Sequence, residues 1–359
     1  MVSTCVQYQR WPFFLGSLLR FLPRPRALPW RGTLAVSLPD EIPLRDGLHT
    51  DWHAHTRWSD GQVQVAEMAG QAERRGVTLG VSDHGLRDNV RLQTPEHIAS
   101  YVADLKQYPV LRGIEISIGD MDVDEGRRSD DQVSIRRELA LKGSEASSVL
   151  RQAGLLDDFD YVIASLHAIR VPEGAIHATR YLNWRAGLYP TYRPSLKRYD
   201  RRRYFQTALA ALEDTAARWP VTILGHFCLM PELANKRGSY KLAEDPNPDQ
   251  EALEWLEAIV QTCIRHDIAI ELNSKSRAPH QAMIERALEL GARFTLGSDA
   301  HQRHRAGDLS YGREMAQRLK IPADRFLTPQ DVLSRRPDQT SGGAPAAAVK
   351  AQRADSPAA

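Results

Sequence analysis

The stretch Asp51–Gly61, DWHAHTRWSDG, sets two histidines, His53 and His55, between two carboxylates, Asp51 and Asp60. On an extended strand, residues two apart share a face, so both imidazoles point the same way. Asp299-Ala300-His301 repeats that spacing far downstream, and Asp83-His84, Glu115, His167, His226 and Glu271 lie between. The cysteines Cys5, Cys228 and Cys263 show no CxxC spacing, so neither a thiolate cage nor a disulfide framework is indicated. A donor set of nitrogen and oxygen alone suits zinc, manganese or iron, and carboxylates readily bridge neighbouring ions. Six histidines with several carboxylates exceed what one ion can use, which implies two or three divalent ions. Such clusters polarise a phosphoryl group, generate hydroxide near neutral pH and stabilise a leaving oxygen. No haem or flavin motif accompanies them.

Any one of these histidines, taken alone, reads as a structural residue satisfied by backbone partners. Their position along the chain reverses that reading. Short β-branched runs near 50–55, 78–83, 109–116, 160–166, 221–226, 268–273 and 293–298 predict strands, and each ends in a candidate ligand. Between several of them the apolar period is helical. Val65, Met68, Ala69 and Ala72 share a face before Gly76, Leu253 to Cys263 follow a Pro248-Asp249 start, and Ile284 to Leu288 precede Gly291. Tyr161–Ala164 and Val221–Leu224 are apolar on both faces, as buried parallel strands are. Alternating βα units in this number imply a parallel sheet closed into a barrel. In such a barrel the C-terminal strand ends share one rim, so ligands distant in sequence converge there.

The ordered set DWHAHTRWSDG, VSDHG, GIE, SLH, LGH and GSDAH resembles the polymerase-and-histidinol-phosphatase (PHP) family of metal-dependent phosphoesterases. The resemblance spans the core of the chain. It implies an α/β fold, a distorted seven-stranded (β/α)7 TIM-like barrel, with a trinuclear site at the rim. Carried over position by position, it implies metal ligands at His53, His55, Asp60, His84, Glu115, His167, His226, Asp299 and His301. Of these, His53, His55, Asp299 and His301 stand at the centre of catalysis. In this family the Glu-Leu-Asn segment, here Glu271 to Asn273, is supporting structure, so Glu271 stays outside the ligand set. The implied reaction is hydrolysis of a small phosphate monoester by metal-activated hydroxide, with histidinol phosphate the first substrate to consider. A nucleotide or oligonucleotide phosphodiesterase or exonuclease is the enzyme alternative. A metal-binding regulatory protein without turnover is the alternative from another class, and the complete ligand set argues against it.

Other residues carry two readings each. Asp51, Asp83 and Ser298 flank ligands and either orient imidazoles or cap the following turns. Asn273, Lys275 and Arg277 follow Glu271 on the rim, and Arg277 is the cation favoured here to clamp a substrate phosphate. The Asp120, Asp122, Asp124 run lacks the glycine an EF-hand loop requires and reads as a solvated acidic loop. The Tyr/Arg-rich stretch Tyr181–Arg203 reads as a long loop above the rim, able to stack on a phosphorylated substrate or single-stranded nucleic acid, or to serve as a subunit contact. His49, His97, His177, His266 and His280 lie off the strand-end pattern and read as structural or surface residues.

The bulk numbers set the frame. The chain has 359 residues, 42% hydrophobic and 26% charged, with a formal net charge of +2. That balance gives no reason to expect a membrane surface or nucleic acid as the main partner; a small phosphorylated molecule is the expected one. A reducing, cytoplasmic setting is the default. Residues 1–49 read as a poorly ordered extension whose apolar run is too short to span a bilayer. Residues 50–335 read as the catalytic domain, and the low-complexity segment 336–359 as a disordered tail.

Overall fold

The computed structural model describes residues 41–85, 92, 94–118, 155–171, 174–177, 201–227 and 249–335. The expected extension up to residue 40, the Asp120–Asp124 run, most of the Tyr/Arg-rich stretch and the C-terminal tail lie outside the described residues.

Seven parallel strands close into a barrel: β1 (Thr50–Asp51), β2 (Thr78–Val81), β3 (Leu111–Ser117), β4 (Tyr161–Ser165), β7 (Ile223–Gly225), β8 (Ala269–Asn273) and β9 (Phe294–Gly297). Closure runs through β1, which pairs with β2 at Thr50↔Thr78 and with β9 at Asp51↔Leu296. Two further strands, β5 (Ala168–Val171) and β6 (Gly174–His177), form an antiparallel hairpin directly after His167, which the strand-then-helix rhythm does not anticipate.

Helices pack around the outside: α1 (Val65–Arg74), α2 (Pro95–Leu105), α3 (Arg201–Arg218), α4 (Gln250–Arg265), α5 (Gln281–Glu289) and α6 (Ser310–Arg318), while the short α7 (Pro329–Leu333) packs against the barrel floor. Their ends are chemically marked. Gln64 and Glu67 close a reciprocal capping box on α1, Asp249 accepts from the Ala252 amide, and Gly291 follows α5 with φ +96°. Residues 201–203 open α3, so the last part of the expected loop Tyr181–Arg203 is helical. None of the described helices is long and apolar enough to cross a membrane.

Strand alternation sorts the core into two clusters. Val162, Ala164, Ile270 and Leu272 face the helices, while Tyr161, Ile163, Ile223, Ala269, Leu111 and Trp52 fill the barrel interior. Leu327 and Val332 close that interior from below, with Ile42 and Leu333 packed against them. Tyr161 stands edge-to-face with Trp52 at 5.1 Å and donates to the Trp52 carbonyl at 2.7 Å. Gly80 and Gly113 make room for it, since a Cβ on either would lie 2.3 Å from the phenol. The apolar floor thus ends one layer beneath the rim. The next inward positions are Glu115 and Glu271.

Candidate metal centre

His53 and His55 leave β1 beside the chain leaving β9. Ala54 pairs with Ala300, and the His55 amide donates to the Ala300 carbonyl at 2.8 Å. This lateral pairing brings the two X-Ala-His segments together across the barrel seam. His84 follows β2 and bridges to Glu115 on β3; His167 follows β4, and His226 follows β7 with φ +20°. Asp60 comes from the turn after His55.

Glu115, buried at the centre, is the hub. Its Oε1 lies 3.2 Å from Nε2 of His167, 3.2 Å from Nε2 of His226 and 3.5 Å from Nε2 of His53. Its Oε2 lies 2.5 Å from Nδ1 of His84 and 3.6 Å from Nε2 of His55. At the mouth, Asp60 Oδ1 lies 3.2 Å from His301 Nε2, and its Oδ2 lies 3.6 Å from His84 Nε2. Asp299 Oδ1 lies 3.5 Å from His55 Nε2. All nine residues expected as ligands converge in this way. They form four overlapping groups whose donor atoms lie within 4.8 Å of one another: His55, Asp60, His84 and His301; His53, Glu115 and His226; His53, His55 and Asp299; His84, Glu115 and His167. Nearly all are buried. The exceptions are the side chains of Asp60, half exposed, and His301, 23% exposed, which mark the open side.

Burial and mutual charge set the protonation of the cluster. For Glu115, burial alone would raise the pKa, but the surrounding His84, His167 and His53 hold the carboxyl well below its usual range. Asp299 is held low in the same way, against burial, by His55, His53 and Lys275. Burial opposes charge on His84, yet Glu115 and Asp60 lift its imidazole to about 9. In His55 burial and the neighbouring His84 act together, pushing the pKa well below the ordinary value. Ionised carboxylates are therefore confined among imidazoles of which at least one must lose a proton before it can ligate.

The donors fit divalent ions. Nε2 of His53 and Oε2 of Glu115 are buried and make no hydrogen bond of acceptable geometry, although Oε2 stands 2.5 Å from Nδ1 of His84 and Nε2 stands 3.5 Å from the other Glu115 oxygen. Buried donors and acceptors without a hydrogen bond are costly unless something coordinates them. The all-nitrogen-and-oxygen donor set suits zinc, manganese or iron.

Around the cluster, the residues that sequence left with two readings acquire one. Asp83 Oδ1 accepts from the amides of Thr56 and Ser59 at 2.7 and 3.1 Å, and from the Ser59 hydroxyl at 2.6 Å; its Oδ2 accepts from the Thr56 hydroxyl at 2.7 Å. Asp83 therefore caps the turn that carries Asp60. Asp51 is fully buried and accepts from the amides of His53, Ser298 and Gly307 at 3.2, 2.9 and 2.8 Å, tying β1 to the chain after β9. Both are backbone caps. The Ser298 hydroxyl likewise donates to the His53 carbonyl at 3.2 Å.

Imidazole orientation comes from other groups. Glu271 Oε1 lies 2.8 Å from His53 Nδ1, the Ser117 hydroxyl 2.9 Å from His167 Nδ1, and the Asp299 carbonyl 3.0 Å from His301 Nδ1. Arg277 does not reach the cluster. It pairs with Glu314 on α6 at 3.1 Å and lies over the Tyr311 ring at 5.0 Å. The rim cation that does reach it is Lys275, whose Nζ lies 3.0 Å from Asp299 Oδ1 and 3.2 Å from His301 Nδ1. Lys275 rides on a tight loop closed by Asn273 and Ala278, which bond backbone to backbone in both directions. The Asn273 side chain accepts from Ser276 inside that loop. An Asn followed three residues later by Ser was a visible Asx-turn signal, and it would have favoured Lys275, at the loop tip, over Arg277 at its exit.

Comparison with known proteins agrees with this geometry. The PHP domain model matches residues 51–275. No curated protein matches the chain. Among solved structures, a candidate histidinol phosphatase, HisK from Listeria monocytogenes, superposes with a TM-score of 0.50 at 15% identity, over 74% of this chain and 99% of that one. At that identity the likeness speaks to the fold alone.

Proposed function

We propose, from the premise that this chain belongs to the PHP domain family, that it is a metal-dependent phosphoesterase hydrolysing a small phosphate monoester. The observation that carries the reading is the convergence of nine nitrogen and oxygen donors around buried Glu115, with Nε2 of His53 and Oε2 of Glu115 left unsatisfied. The residues that would hold two or three divalent ions are His53, His55, Asp60, His84, Glu115, His167, His226, Asp299 and His301. Ions held there supply Lewis-acid polarisation of a phosphoryl group and acidify the attacking water.

The chain's own residues do the rest. The apolar floor formed by Trp52, Tyr161 and Ile163 seals the site from below, so substrate enters past Asp60, His301 and Lys275. Lys275 Nζ, half exposed beside Asp299, is the ammonium available to a phosphate oxygen, and it replaces Arg277 in that role. A terminal phosphate suits the Lys275 ammonium beside the buried donor cluster, the cation that reaches it among the described residues. Histidinol phosphate is the first substrate to try; HisK, the fold relative, bears a histidinol-phosphatase name.

The test is a substrate panel with manganese- or zinc-loaded protein: an aryl phosphate monoester, an aryl phosphodiester, histidinol phosphate and a short oligonucleotide. Turnover of the monoesters above the others supports the reading. Turnover confined to the diester or the oligonucleotide would replace it with a phosphodiesterase.

A further inference from the structure

Glu271 belongs to none of the four donor groups, yet it touches two of their members at once. Its Oε1 takes His53 Nδ1 at 2.8 Å, and its Oε2 accepts from the His226 backbone amide at 2.8 Å. His53 and His226 come from β1 and β7, and both sit, with Glu115, in a single donor group. Their rings lie nearly parallel, with centroids 5.6 Å apart and 18° between planes. The barrel leaves room for the carboxylate at Gly297, where a Cβ would lie 1.9 Å from Glu271 Oε1. Glu271 is itself buried, and its charge partner is the equally buried His53.

We infer that Glu271 is a positioning residue that builds one ion subsite, His53–Glu115–His226, and leaves the mouth-side group His55–Asp60–His84–His301 to assemble without it. An ionised carboxylate only accepts, so its bond to His53 keeps the imidazole proton on Nδ1 and turns the bare Nε2 toward Glu115. The second oxygen secures the amide of His226, whose φ of +20° is unusual for a residue with a side chain. One residue thereby fixes both imidazoles of the group, one through its ring and the other through its backbone. Glutamine at this position has a single acceptor oxygen. Its amide N–H would confront either the His53 Nδ1 proton, forcing the proton onto the ligating nitrogen, or the His226 N–H.

This inference rests on the metal-centre reading above, and metal counting separates the two. Protein stripped with chelator is titrated with zinc and, separately, manganese, and bound metal is counted by mass spectrometry and calorimetry. Glu271→Gln is expected to lose one binding step, or to weaken it about 10–100-fold, with the step that belongs to the mouth-side group His55, Asp60, His84 and His301 and the circular dichroism spectrum unchanged. Glu271→Asp, which adds no bulk but cannot span both bonds, is expected to do the same and decides the matter if the glutamine variant does not fold. Wild-type stoichiometry and affinity in both variants would overturn the role of Glu271 alone. Uniform loss of every step would overturn its selectivity. Absence of stoichiometric metal from the wild-type protein would overturn the metal centre beneath it.

Discussion

Replacing Asp83 separates a cap from a ligand, because alanine and asparagine should behave very differently. The carboxylate satisfies four donors: the amides of Thr56 and Ser59 and the hydroxyls of the same two residues. Alanine leaves both amides without an acceptor, at about 1–3 kcal/mol each. The hydroxyls can rotate, and water near the mouth can reach Ser59. A net destabilisation of about 3 kcal/mol follows. Asparagine keeps one oxygen for the three bonds that Oδ1 now accepts, and its N–H can donate to the Thr56 oxygen. Burial already raises the Asp83 pKa, against the hydrogen bonds from Ser59 and Thr56, so a neutral amide also relieves desolvation. Asp83→Asn should therefore cost less than about 1 kcal/mol. Equilibrium urea unfolding of chelator-treated protein at pH 7 measures both. Because the turn also carries Asp60, Asp83→Ala should additionally weaken metal binding by the group His55, Asp60, His84 and His301. Equal losses for the two variants, or an alanine variant within about 1 kcal/mol of wild type, would refute the capping role.

Three further outcomes are expected. Burial pushes the Asp51 carboxyl up to about 6 from 3.8, despite the bonds from Ser298, Gly307 and His53. Its folded pKa lies above the unfolded one, so its ionisation opposes folding between those values. The stability of wild type relative to Asp51→Asn should thus fall by about 3 kcal/mol as pH rises from below 4 to above 6; a difference that is flat or rises with pH contradicts this. Lys275→Met should lower kcat/KM for a phosphate monoester about 10–100-fold, chiefly through KM, by removing one charge-assisted hydrogen bond. Its metal content should be unchanged, and a drop in bound metal would instead make Lys275 a structural partner of Asp299. Finally, because Glu115 and Asp60 lift His84 to about 9 against its burial, metal affinity should climb with pH up to about 9 and loading should release protons. Calorimetry in buffers of differing ionisation enthalpy reads that release, and pH-independent affinity between 6 and 9 would contradict it.

What sequence showed and what it hid divide along one physical line. The barrel strands were legible because several are apolar on both faces and each is followed by or ends in a histidine or carboxylate, as Tyr161–Ser165 does before His167. The convergence of the nine candidate ligands was legible for the same reason, since barrel topology alone carries strand ends to one rim. The hairpin at 168–177 was not, although Pro172-Glu173-Gly174 between its two short runs is a turn signal, because a strand-then-helix rhythm leaves no place for an antiparallel pair after a barrel strand. The roles of Asp51 and Asp83 were undecidable because cap and imidazole-orienting residue look alike until backbone donors such as Gly307 N, 256 positions away, are placed. Arg277 over Lys275 was a choice between neighbours on one loop, and it turned on which side chain the Asn273–Ala278 closure aims inward. Glu271 read as support, and the hydrogen bonds to His53 and His226 show what it supports.

The most direct test of the account is aryl phosphate monoester hydrolysis by the full chain before chelation, after exhaustive chelation, and after readdition of manganese or zinc. Activity should be lost on chelation and recovered with metal, with no recovery in a variant carrying His53→Ala and Asp299→Ala. Hydrolysis that persists undiminished in the chelated wild-type protein would contradict it.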